Sequence, residues 1–599
     1  MSITFPKSPA TKSLPVIYFL FATMVFVYLL VRAILVPVVH DEAVTFFRFI
    51  NTGKFVPFYA GYDANNHFLN SFLSFGCFNL FGKSLFALRL PNLLAFILFA
   101  FYTKKITGFI KNNVLAFFLG ITLLSADYLV EFFGMCRGYG LSMAFLLMAI
   151  YYVMLFTQNS RLKNFTMAIL AGMLALSSNL ALLSFFVVML CILAYKAITF
   201  LYANKNKPRL VYIIGFLLLG VLPVLFWSMY ALKLKKEGAL LYGSSDGFIP
   251  VTLNSLLDLQ TGTHHWGVVA WVCIFFVLSG ALSLFVFFKR GLSAMVVAGF
   301  LLSGTFFVVY IQSYVLGVNF PADRVGLYFI PLFFLAAGFL VDALIAYSSY
   351  WFVLFLPILI VPAGSLLRLN TTHFKQWPDE SMVSGCYTMV KAIEKQSNEQ
   401  ITVGGKFDMA WLFYGFDDEN ALQPIHSAEW VNHKNDINFL MRQEYPHFKK
   451  EYSIIDSAGY SDYLVVKRRK PRGKQLFYSE KLPNTLTCVN EFYLLYSVVD
   501  SALTGHELQL CFDGIIQCNK IPFSAGLVFF TTDENEKVIH YDAMPLEWIR
   551  NDWTNAQVRF TRNIPALKNK KDKLYVHIVN LQKCAFSLRN LSIKVYKLK

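Results

Sequence analysis

Carboxylates are scarce in the N-terminal part of this chain. Only ten of its 36 Asp and Glu residues precede Asn370. Charged residues of both signs make up 15% of the 599-residue sequence, against about 25% in an ordinary soluble domain. Long apolar stretches with so few charges have no polar face to turn toward water, which excludes a soluble fold there. The nine cysteines contain no CxxC pair, which argues against a zinc or dithiol redox centre. No glycine-rich nucleotide loop is present, so a nucleotide sugar has no obvious cradle. A small-residue cleavage site does not follow the first apolar run, so that run, with Lys7 and Lys12 before it, is read as a retained span and not as a signal peptide.

What is present is apolar: 56% of the residues are hydrophobic and 17% aromatic. From Leu14 to Leu367 they fall into runs of about the 20 residues that a spanning helix needs. Eleven candidates stand at roughly 14–39, 90–103, 113–130, 139–157, 165–178, 180–203, 210–231, 267–288, 292–316, 326–346 and 351–367. The shorter apolar run 68–82, polar at its start, is expected to lie on the membrane surface as an amphipathic helix. With the N-terminus inside, the cytoplasmic breaks hold Lys7 and Lys12; Lys104, Lys105 and Lys111; Arg161 and Lys163; Lys205, Lys207 and Arg209; Lys289 and Arg290. None of those breaks contains Asp or Glu, which is the positive-inside pattern. Lys233, Lys235 and Lys236 count against it. Every acidic residue before Asn370 except Asp342 then falls at or beyond the opposite ends of the spans. Eleven crossings place the C-terminal part outside the cytoplasm, and the richness in Phe, Lys and Asn suits a bacterial inner membrane.

The expected fold is therefore a polytopic α-helical membrane protein of about eleven spans, followed by an extracytoplasmic α/β plus β-sandwich region. Its expected parts are a membrane module over 1–370, an α/β domain over 371–475 and a β-sandwich over 476–599. In the α/β part a helical stretch, Met382–Lys395, precedes a strand at Ile401–Gly404, and Tyr463–Val466 closes the pattern. Alternating runs at Glu507–Phe512, Gly526–Phe530, Ala556–Phe560, Leu574–Val579 and Leu591–Tyr596 read as sandwich strands. Cys511 and Cys518 flank an expected turn over Phe512–Gln517, either as a disulfide or as buried thiols. Trp548 and Trp553 are read as sugar platforms or, more simply, as core. The net charge of +17 suits inner-leaflet anchoring. The one dense basic run, Lys467, Arg468, Arg469, Lys470, Arg472 and Lys474, reads as a solvated edge or a lipid-headgroup contact, and nucleic acid is not an expected partner.

Five polar clusters share one side of the predicted membrane. His40-Asp41-Glu42 follows the first span and offers either a general base or a helix cap. Asn65-Asn66-His67 opens the 68–82 helix and offers either phosphate or sugar ligands or a cap. Arg89, just before Leu90-Pro91, either faces an anion or snorkels. Glu131 to Tyr139, with Arg137-Gly138-Tyr139, and Asn319 to Arg324 complete the set. Arg137 and Arg324 are either phosphate clamps or interface anchors. The 233–266 loop, with Tyr242 to Gly247 and His264-His265, is a candidate lid; adjacent histidines make a poor metal site because neighbours do not share a face.

The order of Asp41-Glu42, the Asn-His cluster, Phe81-Gly82 to Arg89-Leu90-Pro91, Arg137-Gly138-Tyr139 and Arg324 to Pro331 resembles the GT-C glycosyltransferases. The likeness is to their protein O-mannosyltransferase and lipid A aminoarabinose transferase branch (glycosyltransferase family 39/83-like), over about 14–367. The strongest local match is Phe81–Pro91, against that branch's FG turn, small-residue run and RLP tripeptide. The resemblance implies transfer of a sugar from a polyprenyl-phosphate donor to an acceptor hydroxyl outside the cytoplasm, with inversion. The acceptor would be a lipid, a glycan or a protein. Asp41 would be the catalytic base or acceptor orienter, with Glu42 completing the acidic pair. Asn66, His67, Arg89, Glu131, Arg137, Tyr139 and Arg324 would bind substrate or phosphate. Phe68 stands where the family has proline, and no carboxylate adjoins His67, which weighs against a divalent cation; no cofactor is counted as certain. The competing readings are a transporter or flippase of lipid-linked saccharides and a non-catalytic carbohydrate-binding membrane protein. Transporters often show internal repeats and ionisable residues deep in their spans, and neither is evident here.

Overall fold

The computed structural model of the chain describes residues 9–203, 209–240, 242–397, 400–416, 418, 421–425, 433–481, 485–519, 523–550 and 553–599. Lys7, Lys205 and Lys207 lie outside the described residues. The chain divides into two compact units, residues 1–36 with 48–376, and residues 37–47 with 377–599. The helices that matter most below are α1 (Pro9–Leu35), α2 (His40–Thr45), α3 (Phe68–Phe81), α4 (Leu85–Thr107), α5 (Asn113–Ser125), α6 (Asp127–Glu131) and α7 (Gly138–Asn159).

The first unit is helical. Among the described residues, nine helices are long and apolar enough to cross a membrane. A tenth crossing arises if α5 and the stretch Asp127–Gly134, bent by 51° at Ala126, are one broken span. The expected span at 165–178 is a shorter helix, Leu162–Ser178. The last apolar segment winds as a 3-10 helix over Ser349–Leu359 before its final α-turns. In α3 the polar positions Asn70, Ser71 and Ser74 are buried, while Phe72, Leu80 and Phe81 are exposed. Its polar stripe faces α4: Asn92 Nδ2 donates to Asn70 Oδ1 at 2.6 Å, and Ser74 Oγ donates to the Leu88 carbonyl at 2.9 Å. Interhelical polar contacts of this kind hold helices together where lipid offers no hydrophobic contrast.

Three residues that run against the charge pattern, Asp342, Lys233 and Lys235, have local explanations. Asp342 accepts from the Lys111 and Asn112 amides, at 3.1 and 3.0 Å, and so caps the Lys-rich end of the bundle. Lys233 and Lys235 lie in the last turn of Leu222–Lys236. Lys233 pairs with Glu237 at 2.7 Å, and Lys235 donates to the Leu316 carbonyl. Cations at a helix C-terminus are favoured whichever way the span runs.

The second unit gathers the residues just after the first span with the C-terminal part. Phe46 packs edge-on against Phe413 and Phe416, at 5.3 and 5.2 Å, and the Val38 amide donates to the Tyr414 hydroxyl at 3.0 Å. Its α/β layer has strands β1 (Val403–Gly404), β2 (Ile437–Met441), β3 (Tyr452–Ser457) and β4 (Tyr463–Arg468) in the order β1-β2-β4-β3. The β1–β2 pair is parallel and the other pairs are antiparallel. The remaining strands are β5 (Lys474–Lys481), β6 (Thr485–Cys488), β7 (Phe492–Val498), β8 (Leu508–Gln517), β9 (Gly526–Thr532), β10 (Val538–Pro545), β11 (Ala556–Ile564), β12 (Lys573–Val579) and β13 (Phe586–Leu598). They form two sheets, β10-β9-β12-β7 and β11-β8-β13-β5, with β6 pairing on β13.

Phe512–Gln517 is not a turn. It continues β8, whose residues alternate between buried and half-buried through Ile516. Cys511 and Cys518 are free thiols seven positions apart on an extended segment, which points them to opposite faces. Trp553 is core, its indole N–H satisfied by the Arg550 carbonyl at 3.0 Å.

Arg89 is fully buried and caps the end of α1, donating to the carbonyls of Ala33 and Val36 at 3.2 and 2.7 Å. Its guanidinium also lies over the Phe374 ring, 5.3 Å from the centroid. Arg89→Ala strands two buried carbonyls, so about 2–4 kcal/mol of stability is lost. Thermal unfolding of the detergent-solubilised variant checks this; an unchanged midpoint would overturn the capping role.

Candidate functional site

The first unit builds a cationic corner where α6 gives way to α7. After a 3-10 turn at Phe132–Gly134 the backbone extends, and Arg137 takes the N-cap position of α7 with φ −139° and ψ 144°. Gly138 must be glycine: a Cβ there would lie 1.9 Å from the Ser178 carbonyl oxygen and 2.7 Å from His67 Cβ. This close approach lets His67 Nδ1 reach the Ser178 carbonyl at 2.9 Å. A carbonyl only accepts, so Nδ1 carries the proton and Nε2 is the acceptor in the neutral ring. The His67 ring meets Tyr139 edge-on at 4.8 Å. Buried Arg137 donates from Nη2 to Asn65 Oδ1 at 2.8 Å and lies 5.8 Å from the Tyr139 centroid. Asn66 instead braces its own loop, donating to the Phe55 carbonyl at 3.0 Å.

A second corner forms around Arg324, at the start of another span. Asp323 adopts the left-handed region at φ 46°, which an Asp side chain tolerates better than most. The Tyr242 hydroxyl donates to Asp323 Oδ2 at 2.6 Å and accepts from Arg324 Nη1 at 2.9 Å and Gln376 Nε2 at 2.8 Å. One donor and two lone pairs are thereby all used. Arg324 also stacks on the Tyr242 ring at 4.4 Å. Burial pushes the Tyr242 phenol well above its ordinary pKa, with Arg324 opposing, so the hydroxyl keeps its proton. Gly243, at φ 96°, makes this possible: its tight pass against the Phe320 carbonyl lets Ser244 bridge to Phe320 and Asn319 reach the Gly243 carbonyl at 3.1 Å.

The two corners are joined. Tyr139 contacts Phe132 at 4.9 Å, Phe132 contacts Tyr128 at 5.5 Å, and Tyr128 donates to Gln376 Oε1 at 3.3 Å. Of the residues expected from sequence, His67, Arg137, Tyr139 and Arg324 therefore belong to one continuous set at one end of the bundle. Tyr242, in the expected lid, and Gln376, which carries no motif signal, complete it.

Glu131 belongs to a neighbouring ionic network. It is buried, pairs with Arg32 at 3.4 Å and accepts from the Lys375 amide at 3.3 Å. Asp127 binds Arg368 Nε at 2.9 Å, Gln260 Nε2 at 2.7 Å and the Lys375 ammonium. Burial lowers the Lys375 pKa, and Asp127 and Glu131 pull it back. Arg89 and Glu131 thus have their main partners inside the fold. His264 pairs with Asp258 at 2.7 Å. Among the described residues no three His, Cys, Asp or Glu side chains are grouped to hold a metal ion.

The expected base pair stands in the second unit. Asp41 and Glu42 are buried in the first turn of α2, where Glu42 Oε2 accepts from the Val39 amide at 3.4 Å. Sequence reasoning missed Glu380, whose carboxylate accepts from the His40 amide. Burial raises the Glu380 pKa to about 8; Asp41 and Glu42 add to the rise, and the His40 amide and Lys406 oppose it.

Two outcomes follow from this geometry. Gly138→Ala forces the α6–α7 corner off Ser178 and His67, costing about 1–3 kcal/mol. The check is a lowered unfolding midpoint together with loss of donor binding; unaltered binding would detach the corner from function. Glu380 holds its proton more tightly folded than unfolded, so stability falls as pH rises from the ordinary carboxylate value of 4.5 toward about 8. That loss is at most about 1.4 kcal/mol per pH unit. Glu380→Gln flattens this slope and makes the variant relatively more stable at alkaline pH, read from unfolding midpoints across pH. A wild-type midpoint that does not fall over that range would contradict the assignment.

No protein-family model and no curated protein match the chain. Among solved structures it is similar to ArnT from Cupriavidus metallidurans bound to undecaprenyl phosphate, at 13% identity over 75% of this chain and 97% of that one, with a TM-score of 0.44. The apo state of the same protein gives 13% identity, the same coverage and a TM-score of 0.43. The arabinosyltransferase EmbB from Mycobacterium smegmatis is similar at 10% identity, over 99% of this chain and 66% of that one, with a TM-score of 0.38.

Proposed function

We propose that the chain transfers a sugar, of the hexosyl type, from a polyprenyl-phosphate carrier to an acceptor hydroxyl on the extracytoplasmic face of the membrane. The observation that carries this reading is the joined pair of corners holding Arg137 and Arg324 at one end of the helix bundle. Lys111 lies at an end capped by Asp342, and the positive-inside rule assigns that Lys-rich end to the cytoplasm. The arginine corners then face outward, where nucleotide sugars are absent and a lipid carrier must supply the activated sugar.

In this reading the carrier phosphate binds to Arg137 and Arg324, whose planar forks match phosphate oxygens. Asn65 and Tyr242 hold those forks in place, so little reorganisation is needed as charge grows on the leaving phosphate. His67 contributes an imidazole held by the Ser178 carbonyl in the same corner. Asp41 takes the proton of the acceptor hydroxyl as the oxygen–C1 bond forms and the C1–phosphate bond breaks. A single displacement inverts the anomeric centre. Glu42 supports Asp41, and the protonated Glu380 keeps that place from carrying three like charges.

The test is transfer of radiolabelled sugar from a synthetic polyprenyl-phosphate donor by purified protein in detergent. Asp41→Asn is expected to lower kcat by about 10²–10⁴, with donor KM nearly unchanged. Arg324→Lys keeps the charge but loses the fork, and is expected to lower kcat/KM by about 10–10². Wild-type turnover by a correctly folded Asp41→Asn protein would sink the enzyme reading.

A further inference from the structure

The function above leaves the basic run at 467–474 unexplained. It covers the end of β4, the start of β5 and the link between them, where the α/β layer meets the β-sandwich within the second unit. There it lines an open cavity of about 700 Å³, within the ~300–1,000 Å³ typical of small-molecule sites. Lys434, Arg468, Lys470 and Arg472 stand against two acids, Glu451 and Glu507.

Each acid holds two bases. Glu451 binds Arg468 Nη1 at 3.0 Å and His433 Nδ1 at 3.2 Å. Glu507 binds Arg472 Nη2 at 2.6 Å and Lys434 Nζ at 3.8 Å. The acids therefore orient the bases without cancelling them, and the wall keeps a positive excess. Its guanidinium groups are fixed in advance. Arg468 donates to the Tyr452 hydroxyl at 2.8 Å and lies over that ring at 4.8 Å, and the Tyr452 hydroxyl is anchored on the Asn435 carbonyl at 2.6 Å. Among the described residues, Arg468 Nε and Arg472 Nη1 are buried without a hydrogen-bond acceptor. The His433 ring, stacked flat on Phe448 at 4.2 Å and 5°, adds a planar wall.

We propose that this cavity is a second, non-catalytic binding site for a phosphate monoester on a sugar-sized body, with the phosphate on Arg468, Lys470 and Arg472. A solvated basic edge would have no need of guanidinium groups fixed by carboxylates and a phenol ring, and the cavity exceeds what one inorganic ion fills. The same chemistry can arrive as a soluble phosphosugar or as a lipid whose sugar-like headgroup carries a phosphate monoester.

The experiment uses the full chain in detergent, titrated calorimetrically with glucose 6-phosphate, with glucose as the uncharged control. A second arm titrates the same preparation with water-soluble short-chain phosphatidylinositol 4-phosphate, a monoester on a sugar-sized headgroup, with short-chain phosphatidylcholine as the control. Lys470→Glu reverses an exposed charge that makes no ion pair among the described residues, and it is expected to weaken glucose 6-phosphate binding by about tenfold or more. Arg472→Lys keeps the charge while losing the fork and is expected to fall between. Binding of the short-chain phosphatidylinositol 4-phosphate but not of the phosphosugar, lost in Lys470→Glu, supports the site with a lipid source. Equal binding of glucose and glucose 6-phosphate overturns it. So does unchanged affinity in both variants at wild-type unfolding midpoints, or binding of neither phosphate source.

Discussion

A guanidinium placed among apolar helices must find oxygen atoms or aromatic faces, because leaving it bare in a low-dielectric setting costs several kcal/mol. The first unit meets this constraint in several ways. Arg32 is held by Glu131, the His373 carbonyl and Asn370. Arg89 is held by the carbonyls that end α1. Both have carboxylate or carbonyl partners on distant parts of the fold, so they join elements together. Arg137 and Arg324 are held differently. An amide and a phenol ring hold Arg137, and a phenol hydroxyl and its ring hold Arg324. An amide or a phenol fixes the direction of a guanidinium, so these contacts give both arginines a set geometry.

Glycine and tyrosine complete that geometry. Gly138 allows the Ser178 carbonyl and His67 to come within contact of the start of α7, which sets the angle at which Arg137 leaves the chain. At the other corner Tyr242 uses its donor and both lone pairs at once, so its ring cannot rotate away from Arg324 without losing three hydrogen bonds. Arg137 also stands at the N-terminus of a 22-residue helix, whose dipole adds to the attraction for an anion. Local chain geometry, hydrogen-bond valence and helix polarity therefore favour the same kind of ligand.

Much of this was legible in the sequence where the signal is local. Span-end polar clusters, Arg137-Gly138-Tyr139 and most sandwich strands can be read from periodicity and charge. What could not be read is partner choice across long separations. Arg89 and Arg137 look alike in sequence, and only a carbonyl 53 residues away from one and an amide 72 residues away from the other separate them. Nothing near Glu131 in sequence announces Arg32, 99 residues away, which pairs with it. Asp513-Gly514 looked like a turn. In the sheet a Cβ at Gly514 would lie 3.0 Å from Leu591 Cδ1, so the glycine admits a close neighbour and the strand runs on. Composition reports that a glycine is needed; only packing reports why.

The grouping of 37–47 with the C-terminal residues changes how the acidic pair must be understood. Sequence placed Asp41 and Glu42 as an appendage of the first span. The contacts of Phe46 with Phe413 and Phe416, of Val38 with Tyr414 and of His40 with Glu380 show their local environment to be set by residues more than three hundred positions later. Burial first, and then the charges of Asp41 and Glu42, raise the Glu380 pKa to about 8. The proton rests on Glu380, the acid furthest in sequence from the pair. A mutation in the C-terminal residues can therefore alter the charge around Asp41 without touching the helix that carries it.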